Sequence, residues 1–278
     1  LGVCLRALAP QVAGTSTTVV AVVDNEPSDQ VQDLCSTFPF VTYLTEREPG
    51  SYAARNAGIP FLLDAGCDVV GFTDADCVPS KDCIARAVRG LAVTRADAIA
   101  GAIRVKARHG RRLTAAESYE VLTAFPVASY VREHGFGPTA NLWTTRSALM
   151  GVGVFDAKAK SGGDLEWGRR LRAAGRTLLF DPAVVVQHPP RRTFLEVARK
   201  QRRVLGGHLR YARAKGAWTA AKLVAWELVP PAGRVRRIVR TEGATLRLRT
   251  MASWIELRLY GDRVRELVRL GVGGAPRR

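Results

Sequence analysis

The sequence predicts an α/β protein with a mostly parallel central sheet flanked by helices. Residues 17–23, 40–44 and 69–73 are short runs rich in β-branched and aromatic residues, and a polar turn and a helical pattern follow each of them. Strands that alternate with helices at this spacing are typical of βαβ units, in which neighbouring strands run parallel. We therefore expect one α/β core in the first two thirds of the chain.

Asp74 and Asp76 directly follow the third of these strands. An apolar run as short as Val69–Thr73 fits a strand buried in a parallel sheet, and open α/β sheets bind ligands at the carboxyl ends of such strands. Two carboxylates two residues apart offer oxygen ligands to a divalent cation that leaves positions open for phosphate oxygens. The sequence therefore predicts a metal and diphosphate site, with a turn carrying two solvated aspartates as the plain alternative.

The positive charge of the chain is concentrated at its carboxyl end. The 278 residues have a formal net charge of +17; residues 1–100 contain 7 Lys and Arg against 12 Asp and Glu, whereas residues 191–278 contain 22 against 6. Nucleic acid or an anionic membrane surface could attract such a segment. No stretch approaches the roughly 20 apolar residues of a membrane-spanning helix. The five cysteines lack metal-type spacing, which favours buried thiols in a reducing compartment.

The basic last third has amphipathic helical patterns. Residues 193–213 place apolar side chains on one side and arginines on the other, residues 217–229 are apolar except for Lys222 and Glu227, and residues 246–270 alternate apolar residues with arginines. We expect residues 191–278 to form a basic amphipathic helical region that associates with a membrane.

Six strings occur along the chain in an order that resembles family 2 glycosyltransferases with the Rossmann-like GT-A fold. They are DNEPSD, GSYAARNAGI, FTDADCVP, GPTANLW, GGDLEWGRRL and FDPAVVVQH. The resemblance implies a GT-A domain at residues 1–190, with a nucleotide-sugar-binding half at 1–100 and an acceptor half at 101–190. It also implies inverting transfer of a sugar from a nucleoside-diphosphate sugar.

By this resemblance, Asp74 and Asp76 are the family's Asp-x-Asp motif, whose second carboxylate coordinates Mn²⁺ or Mg²⁺ and whose first approaches the ribose or the metal. A cation has a physical purpose there, because the leaving nucleoside diphosphate gains negative charge as the glycosidic bond breaks. His188 is expected as a third ligand of the metal or the diphosphate, with a structural histidine in a turn as the alternative.

The donor is expected to contact residues of two earlier motifs. By the resemblance, Asp24 hydrogen-bonds the uracil or the ribose, Arg55 approaches the base or the diphosphate, and Asn56 fixes the loop. Asp24 could instead form an Asx turn or a helix cap. Arg55 and Asn56 could be a surface arginine and a capping asparagine.

Inverting transfer requires a base that takes the proton of the acceptor hydroxyl. Asp164 is the candidate, at the amino end of a helix behind two glycines. Residues two apart on a helix point about 200° apart, so Asp164 and Glu166 cannot both face the cleft. Arg169 and Arg170 lie within helical reach of Glu166, so a surface ion pair is the better interpretation of this residue, with Glu166 as the base the alternative.

Asn141, Trp143 and Trp167 are predicted to line the acceptor pocket. For the two tryptophans, packing in the core is an equally good interpretation, because their large rings are usually buried.

The predicted protein is an inverting, metal-dependent glycosyltransferase, peripheral at the cytoplasmic face of the cell membrane. Its donor is a nucleoside-diphosphate sugar, with a bias to UDP, and its acceptor is a lipid-linked or cell-surface glycan. A nucleic-acid-binding protein on a degenerate scaffold is one rival, but no nucleic-acid-binding signature is present. A sugar nucleotidyltransferase is another; its glycine-rich, Arg- or Lys-bearing phosphate loop is missing from this sequence, although an upstream segment could hold one.

The start of the chain departs from the family pattern. Family members open with a central strand before the first helix, whereas this sequence begins inside a helical pattern. Loss of a central strand would expose two strand edges and remove part of the nucleotide pocket. We expect this form to be poorly soluble or inactive until an upstream segment is added.

Overall fold

The computed structural model describes residues 1–13, 17–107 and 112–271. Up to residue 188 the elements are α1 (Gly2–Val12), β1 (Val20–Asp24), α2 (Asp29–Ser36), β2 (Val41–Thr45), α3 (Ser51–Asp64), β3 (Val69–Thr73), β4 (Val78–Pro79), α4 (Cys83–Thr94), β5 (Ala98–Val105), α5 (Ala115–Thr123), α6 (Val127–Ser129), a π-helical turn (Tyr130–His134), β6 (Asn141–Thr145), α7 (Arg146–Val152), α8 (Gly163–Ala173) and β7 (Leu178–His188). The remaining elements are α9 (Phe194–Ala214), α10 (Ala217–Leu228), α11 (Ala232–Val239) and α12 (Leu246–Gly271).

The chain folds into two compact units. The first contains residues 1–104 and 126–188, and the second contains residues 105–125 and the chain from residue 189 onward. The segment 105–125, expected in the acceptor half of the first domain, therefore packs with the carboxyl-terminal helices. The functional division into domains stays a prediction.

The strands of the first unit form two sheets among the described residues. β1 and β2 pair parallel, with Val20 opposite Val41. The other strands follow the order β3-β6-β5-β7-β4, in which β3 with β6, β5 with β6, and β4 with β7 pair antiparallel. The predicted α/β class with helices around a central sheet is confirmed. The expected parallel pairing is found only for β1 with β2, whereas the three pairs given above for the five-stranded sheet are antiparallel. The sequence did not show this, because apolar patterning indicates which residues are buried and not the direction of a strand.

The core of the first unit joins the five-stranded sheet to helices α3, α7 and α8. Val70 and Phe72 alternate with exposed residues along β3, so that one face of this strand is buried. Their partners in the core include Ile59 from α3, Leu149 from α7 and Leu171 from α8. Burial of these apolar side chains fixes α3 and α8, the helices that carry Arg55 and Asp164.

Asn141 at the start of β6 joins three strands of this sheet. Its side-chain amide donates to the carbonyl oxygens of Ala102 and Val184, each at 3.0 Å. Its side-chain oxygen accepts from Nε1 of Trp143 at 3.0 Å, and the residue is 1% exposed. No Cβ fits at Gly101, since it would lie 2.2 Å from Nδ2 of Asn141. Asn141 is therefore a buried brace within the sheet.

The second unit is helical, and two of its helices, α5 and α9, begin at residues whose side chains cap them. Thr114 and Glu117 form a capping box at the start of α5, and Thr193 and Glu196 form another at the start of α9. The buried apolar side chains of α5, α9, α11 and α12 form its core, which includes Tyr119, Val197, Ile238, Ile255 and Leu259.

Several charged groups are buried in the second unit, and each has partners. Glu120 is 3% exposed and pairs with Arg191 at 2.9 Å and with Lys200 at 3.1 Å. These two positive charges hold the pKa of the Glu120 carboxyl below its ordinary value, although burial alone would raise it. Glu256 is 1% exposed and accepts from the Tyr119 hydroxyl at 2.8 Å. These pairings give the helices of this unit specific neighbours.

Across residues 1–13, 17–107 and 112–271, no helix has both the length and the apolar character needed to cross a bilayer.

We predict that Asn141→Ala destabilises the protein by about 2–3 kcal/mol, because two buried carbonyl oxygens and the Trp143 indole lose a partner. The measurement is the midpoint and slope of urea unfolding. Met150→Ala, at a side chain that is 68% exposed, is the control and should change stability by less than about 0.5 kcal/mol. Equal stability of the two variants would contradict the structural role of Asn141.

Candidate active site

Asp74, Asp76 and His188 lie together at the edge of the five-stranded sheet. One ligand atom from each residue lies within 4.8 Å of the other two, and Nε2 of His188 is 3.8 Å from Oδ1 of Asp76. Strand register explains the cluster: Val78 of β4 lies opposite Gln187 of β7, so His188 falls beside the turn that precedes β4. Two carboxylates and one imidazole are a donor set that fits a divalent cation. The structure thus brings together the three predicted metal ligands.

Arg55 on α3 connects this cluster to the rest of the site. Its guanidinium lies 2.5 Å from Oδ1 of Asp74, and its side chain is only 14% exposed. The same guanidinium donates to the carbonyl oxygen of Ser51 at 3.0 Å and lies 5.6 Å from the ring centroid of Tyr52. An arginine with this many partners is oriented toward Asp74, which argues against a freely solvated surface arginine.

Asp164 lies in the first turn of α8 and contacts the same face of α3. The Tyr52 hydroxyl donates to its Oδ1 at 3.2 Å, and the backbone N–H of Leu165 donates to that oxygen at 2.9 Å. Burial raises the pKa of the Asp164 carboxyl above its ordinary value, while the Leu165 N–H, the Tyr52 hydroxyl and the charge of Arg55 oppose this shift. Burial also raises the pKa of Tyr52, so its hydroxyl keeps its proton.

Positions 162 and 163, directly before Asp164, each require glycine for a different structural reason. Gly162 has φ +82°, a conformation that favours glycine. A Cβ at Gly163 would lie 2.8 Å from the ring of Tyr52, so only glycine lets the ring pack against the start of α8. The close approach of Tyr52 to Asp164 therefore depends on Gly163.

The predicted base and the predicted metal ligands belong to one connected site. Asp74 contacts Arg55, Arg55 lies over Tyr52, and Tyr52 contacts Asp164. Sequence reasoning missed Tyr52. Its signal was present, since Tyr52 and Arg55 are three residues apart and therefore share a face of α3.

Asp24, the predicted contact to the base or ribose of the donor, uses its carboxylate in contacts with nearby residues. Asp24 accepts from the backbone N–H groups of Glu26 at 3.0 Å and Ser28 at 3.3 Å, and from the Tyr43 hydroxyl at 3.1 Å. This is the Asx turn considered as an alternative, and a nucleotide contact by Asp24 stays a prediction. Sequence reasoning also missed Asn25, whose side-chain oxygen accepts from the N–H of Gly50 at 2.6 Å, at the start of α3.

Asn56 makes a two-way pairing with the backbone of Phe155. Its amide donates to the carbonyl oxygen at 2.8 Å, and its side-chain oxygen accepts from the N–H at 3.0 Å. Both polar ends are occupied, so Asn56 fixes the loop after α7 to α3.

Two of the predicted pocket residues are in the core. Trp167 is 1% exposed and donates from Nε1 to the carbonyl oxygen of Gly153 at 2.9 Å, and Asn141 braces the sheet as described above. Both side chains are buried, which matches the core-packing alternative for Trp167, and a contact of either residue with a substrate stays a prediction. Glu166 pairs with Arg170 at 2.7 Å, which confirms the ion-pair interpretation of this residue.

Comparisons with known proteins identify the family of this chain. The sequence profile of the family described as Glycosyl transferase family 2 matches residues 1–155. Glycosyltransferase AglE of Haloferax volcanii is 31% identical over 211 residues, which cover 74% of this chain and 67% of AglE.

Two solved structures are similar in fold. Mannosyltransferase PcManGT from Pyrobaculum calidifontis, in complex with GDP-Man and Mn²⁺, has a TM-score of 0.54 at 20% identity, covering 90% of this chain and 77% of its own. S. aureus TarS 1-349 in complex with UDP-GlcNAc has a TM-score of 0.51 at 15% identity, covering 98% and 88%. The expected GT-A fold is therefore confirmed. Since the family profile covers more than half of the sequence, this chain is a glycosyltransferase that belongs to glycosyl transferase family 2.

Proposed function

We propose that this enzyme is an inverting, metal-dependent glycosyltransferase that moves a sugar from a nucleoside-diphosphate sugar to a hydroxyl of a lipid-linked or cell-surface glycan. One observation carries the proposal: the metal-ligand cluster and the half-buried carboxylate of Asp164 are joined through Arg55 and Tyr52. The ligands of the two similar structures, GDP-Man with Mn²⁺ and UDP-GlcNAc, support a nucleotide-sugar donor. The choice of UDP follows only from the sequence resemblance.

Asp74, Asp76 and His188 would hold Mn²⁺ or Mg²⁺, which when bound would offset the charge that develops on the leaving diphosphate. Arg55 supplies a fixed positive charge beside the same carboxylates. Because Arg55 is held by Ser51 and Asp74, little rearrangement is needed to present this charge to an anionic leaving group.

Asp164 would accept the proton of the acceptor hydroxyl. The hydrogen bonds from Tyr52 and Leu165 both reach Oδ1, which leaves Oδ2 for the incoming proton. The raised pKa makes the carboxylate a stronger base than an exposed aspartate, provided that the pH is high enough to ionise it. Tyr52 orients the base, and Asn56 holds the neighbouring loop in place.

The acceptor class and location rest on the charge of the second unit. Its basic helices would keep the enzyme peripherally at the cytoplasmic face of the cell membrane, where lipid-linked acceptors are accessible. The family assignment favours this proposal over the nucleic-acid-binding and nucleotidyltransferase alternatives.

The first test separates the two carboxylate roles. We expect Asp76→Asn and Asp164→Asn each to lower nucleoside-diphosphate release by at least about 100-fold in a screen of UDP- and GDP-sugars with Mn²⁺. Calorimetry should show that Asp164→Asn still binds the nucleotide with Mn²⁺, whereas Asp76→Asn loses the metal-dependent part of the affinity. Asp82→Asn, which removes an exposed carboxylate paired with Arg86, is the matched control. Unchanged turnover in both site variants would overturn the proposal.

The second test uses the pH dependence of the reaction. Asp164 must be ionised to act as a base, so activity should rise with pH through its raised pKa. Tyr52→Phe removes a hydrogen bond that favours the ionised form, so the acid limb of the rate profile should move to higher pH. We also expect kcat at the optimum to fall roughly 10-fold, because the base loses an orienting contact.

Tyr260→Phe is the matched control, since it also removes one hydroxyl hydrogen bond, in the second unit. It should leave the pH profile in place. A shift of the acid limb to lower pH in Tyr52→Phe would contradict Asp164 as the base.

A further inference from the structure

Helix α10 presents an unusually apolar surface to solvent. No residue of this helix is buried, and Trp218 and Trp226 are 73% and 68% exposed. At 100° per residue, Trp218, Lys222, Ala225 and Trp226 lie within about 100° of one another, and all four are exposed. We call these four residues the tryptophan face. Large exposed aromatic side chains grouped on one face mark an interaction surface.

The opposite face of α10 attaches the helix to the second unit. Leu223, Val224 and Glu227 are half-buried there. The carboxylate of Glu227 lies 3.4 Å from the guanidinium groups of both Arg234 and Arg263. The tryptophan face is therefore held outward by contacts on its far side.

The fold of the second unit separates its charges. Of the acidic residues after residue 190, Glu256, Asp262 and Glu266 are 1%, 7% and 3% exposed, and each is paired with an arginine. Most of the basic residues remain at the surface. The surface is therefore more positive than the sequence alone indicates, and it is complementary to an anionic partner.

Three arginines, two on α11 and one directly after its last residue, face an open cavity. Arg236, Arg237 and Arg240 line it with Gly233 and Thr241, and its volume is about 560 Å³. Within the described part of the chain, no carboxylate pairs with any of the three, which we call the arginine cluster. Guanidinium groups without internal partners are suited to phosphate oxygens.

We propose that α10 lies in the plane of an anionic lipid bilayer, with the tryptophan face at the boundary of headgroups and acyl chains and the arginine cluster on lipid phosphates. This deepens the peripheral attachment proposed above by naming the surface that makes it. Tryptophan favours that boundary because its ring is apolar and its N–H is polar. The Lys222 ammonium lies 5.2 Å from the Trp218 ring centroid, and its long side chain can reach the headgroups.

Two other partners fit these observations less well. A nucleic acid would pair with the arginines, but it would leave the exposed apolar side chains of α10 and of Val229 after it in water. A second copy of the chain would bring two strongly positive surfaces together, which is unfavourable.

The test is flotation of the full chain with vesicles of phosphatidylcholine alone and with 30% phosphatidylglycerol, at low and high salt (roughly a 10-fold range). We expect binding to the anionic vesicles, and quenching of tryptophan fluorescence when the acyl chains carry bromine. Trp218→Ser with Trp226→Ser should weaken binding at least about 10-fold. Arg236→Gln with Arg237→Gln and Arg240→Gln should weaken binding at low salt and reduce its salt dependence.

The matched control is Trp254→Ser, which removes a tryptophan that is 51% exposed on α12; it should bind like the wild type. The bromine measurement on the wild type needs no variant, so it stands even if a variant folds poorly. Equal binding by wild type and the double tryptophan variant would overturn the proposal. The proposal would also be overturned if the wild type bound nucleic acid but not vesicles. It would be overturned as well if the double tryptophan variant lost only self-association. Nucleoside-diphosphate release without vesicles tests the transferase chemistry separately.

Discussion

The ion pair between Arg55 and Asp74 is the contact on which the candidate active site depends, because each of its members also contacts a second candidate site residue. Asp74 belongs to the metal-ligand cluster with Asp76 and His188, and Arg55 packs over Tyr52, which contacts Asp164. Helix α3 therefore sets the position of Asp164, the proposed base, relative to the proposed cation site. The next residue on this helix, Asn56, also fixes the loop at Phe155. Three neighbouring residues of this helix thus have different roles: Arg55 supplies a positive charge, Tyr52 contacts Asp164, and Asn56 holds the loop.

Strand pairing and buried hydrogen bonds hold the five-stranded sheet rigid beside the aspartates and His188. The pairing of β4 with β7 places His188 beside the aspartates, and Asn141 connects β5, β6 and β7 from within. The buried brace costs desolvation of an amide, which its hydrogen bonds offset. The aspartates remain accessible while the atoms behind them are fixed, as electrostatic stabilisation of a leaving group requires.

The second unit exposes many positive charges and still has a folded core. Its buried carboxylates neutralise the arginines and lysine that face the interior, such as Arg202 and Lys200, so the charge repulsion falls mainly on the surface. The same arrangement leaves α10 with tryptophans on one side and ion-pair anchors on the other. Charge and apolar exposure on these neighbouring helices are combined in a way that suits an anionic lipid surface.

By itself, the sequence determined the α/β class, β3 with its two following aspartates, the start of α8 near Asp164 and the family, because each is encoded in short-range patterns. Only the tertiary structure decided that Tyr52 meets Asp164 across 112 residues of chain, that Gly163 is required by the Tyr52 ring, and that Asn141 and Trp167 are buried. The sequence also did not show whether neighbouring strands run parallel or antiparallel, because an apolar run has the same pattern in either direction. Local periodicity reports which side chains are buried, whereas the identity of their partners depends on strand register and helix packing, which bring distant residues together.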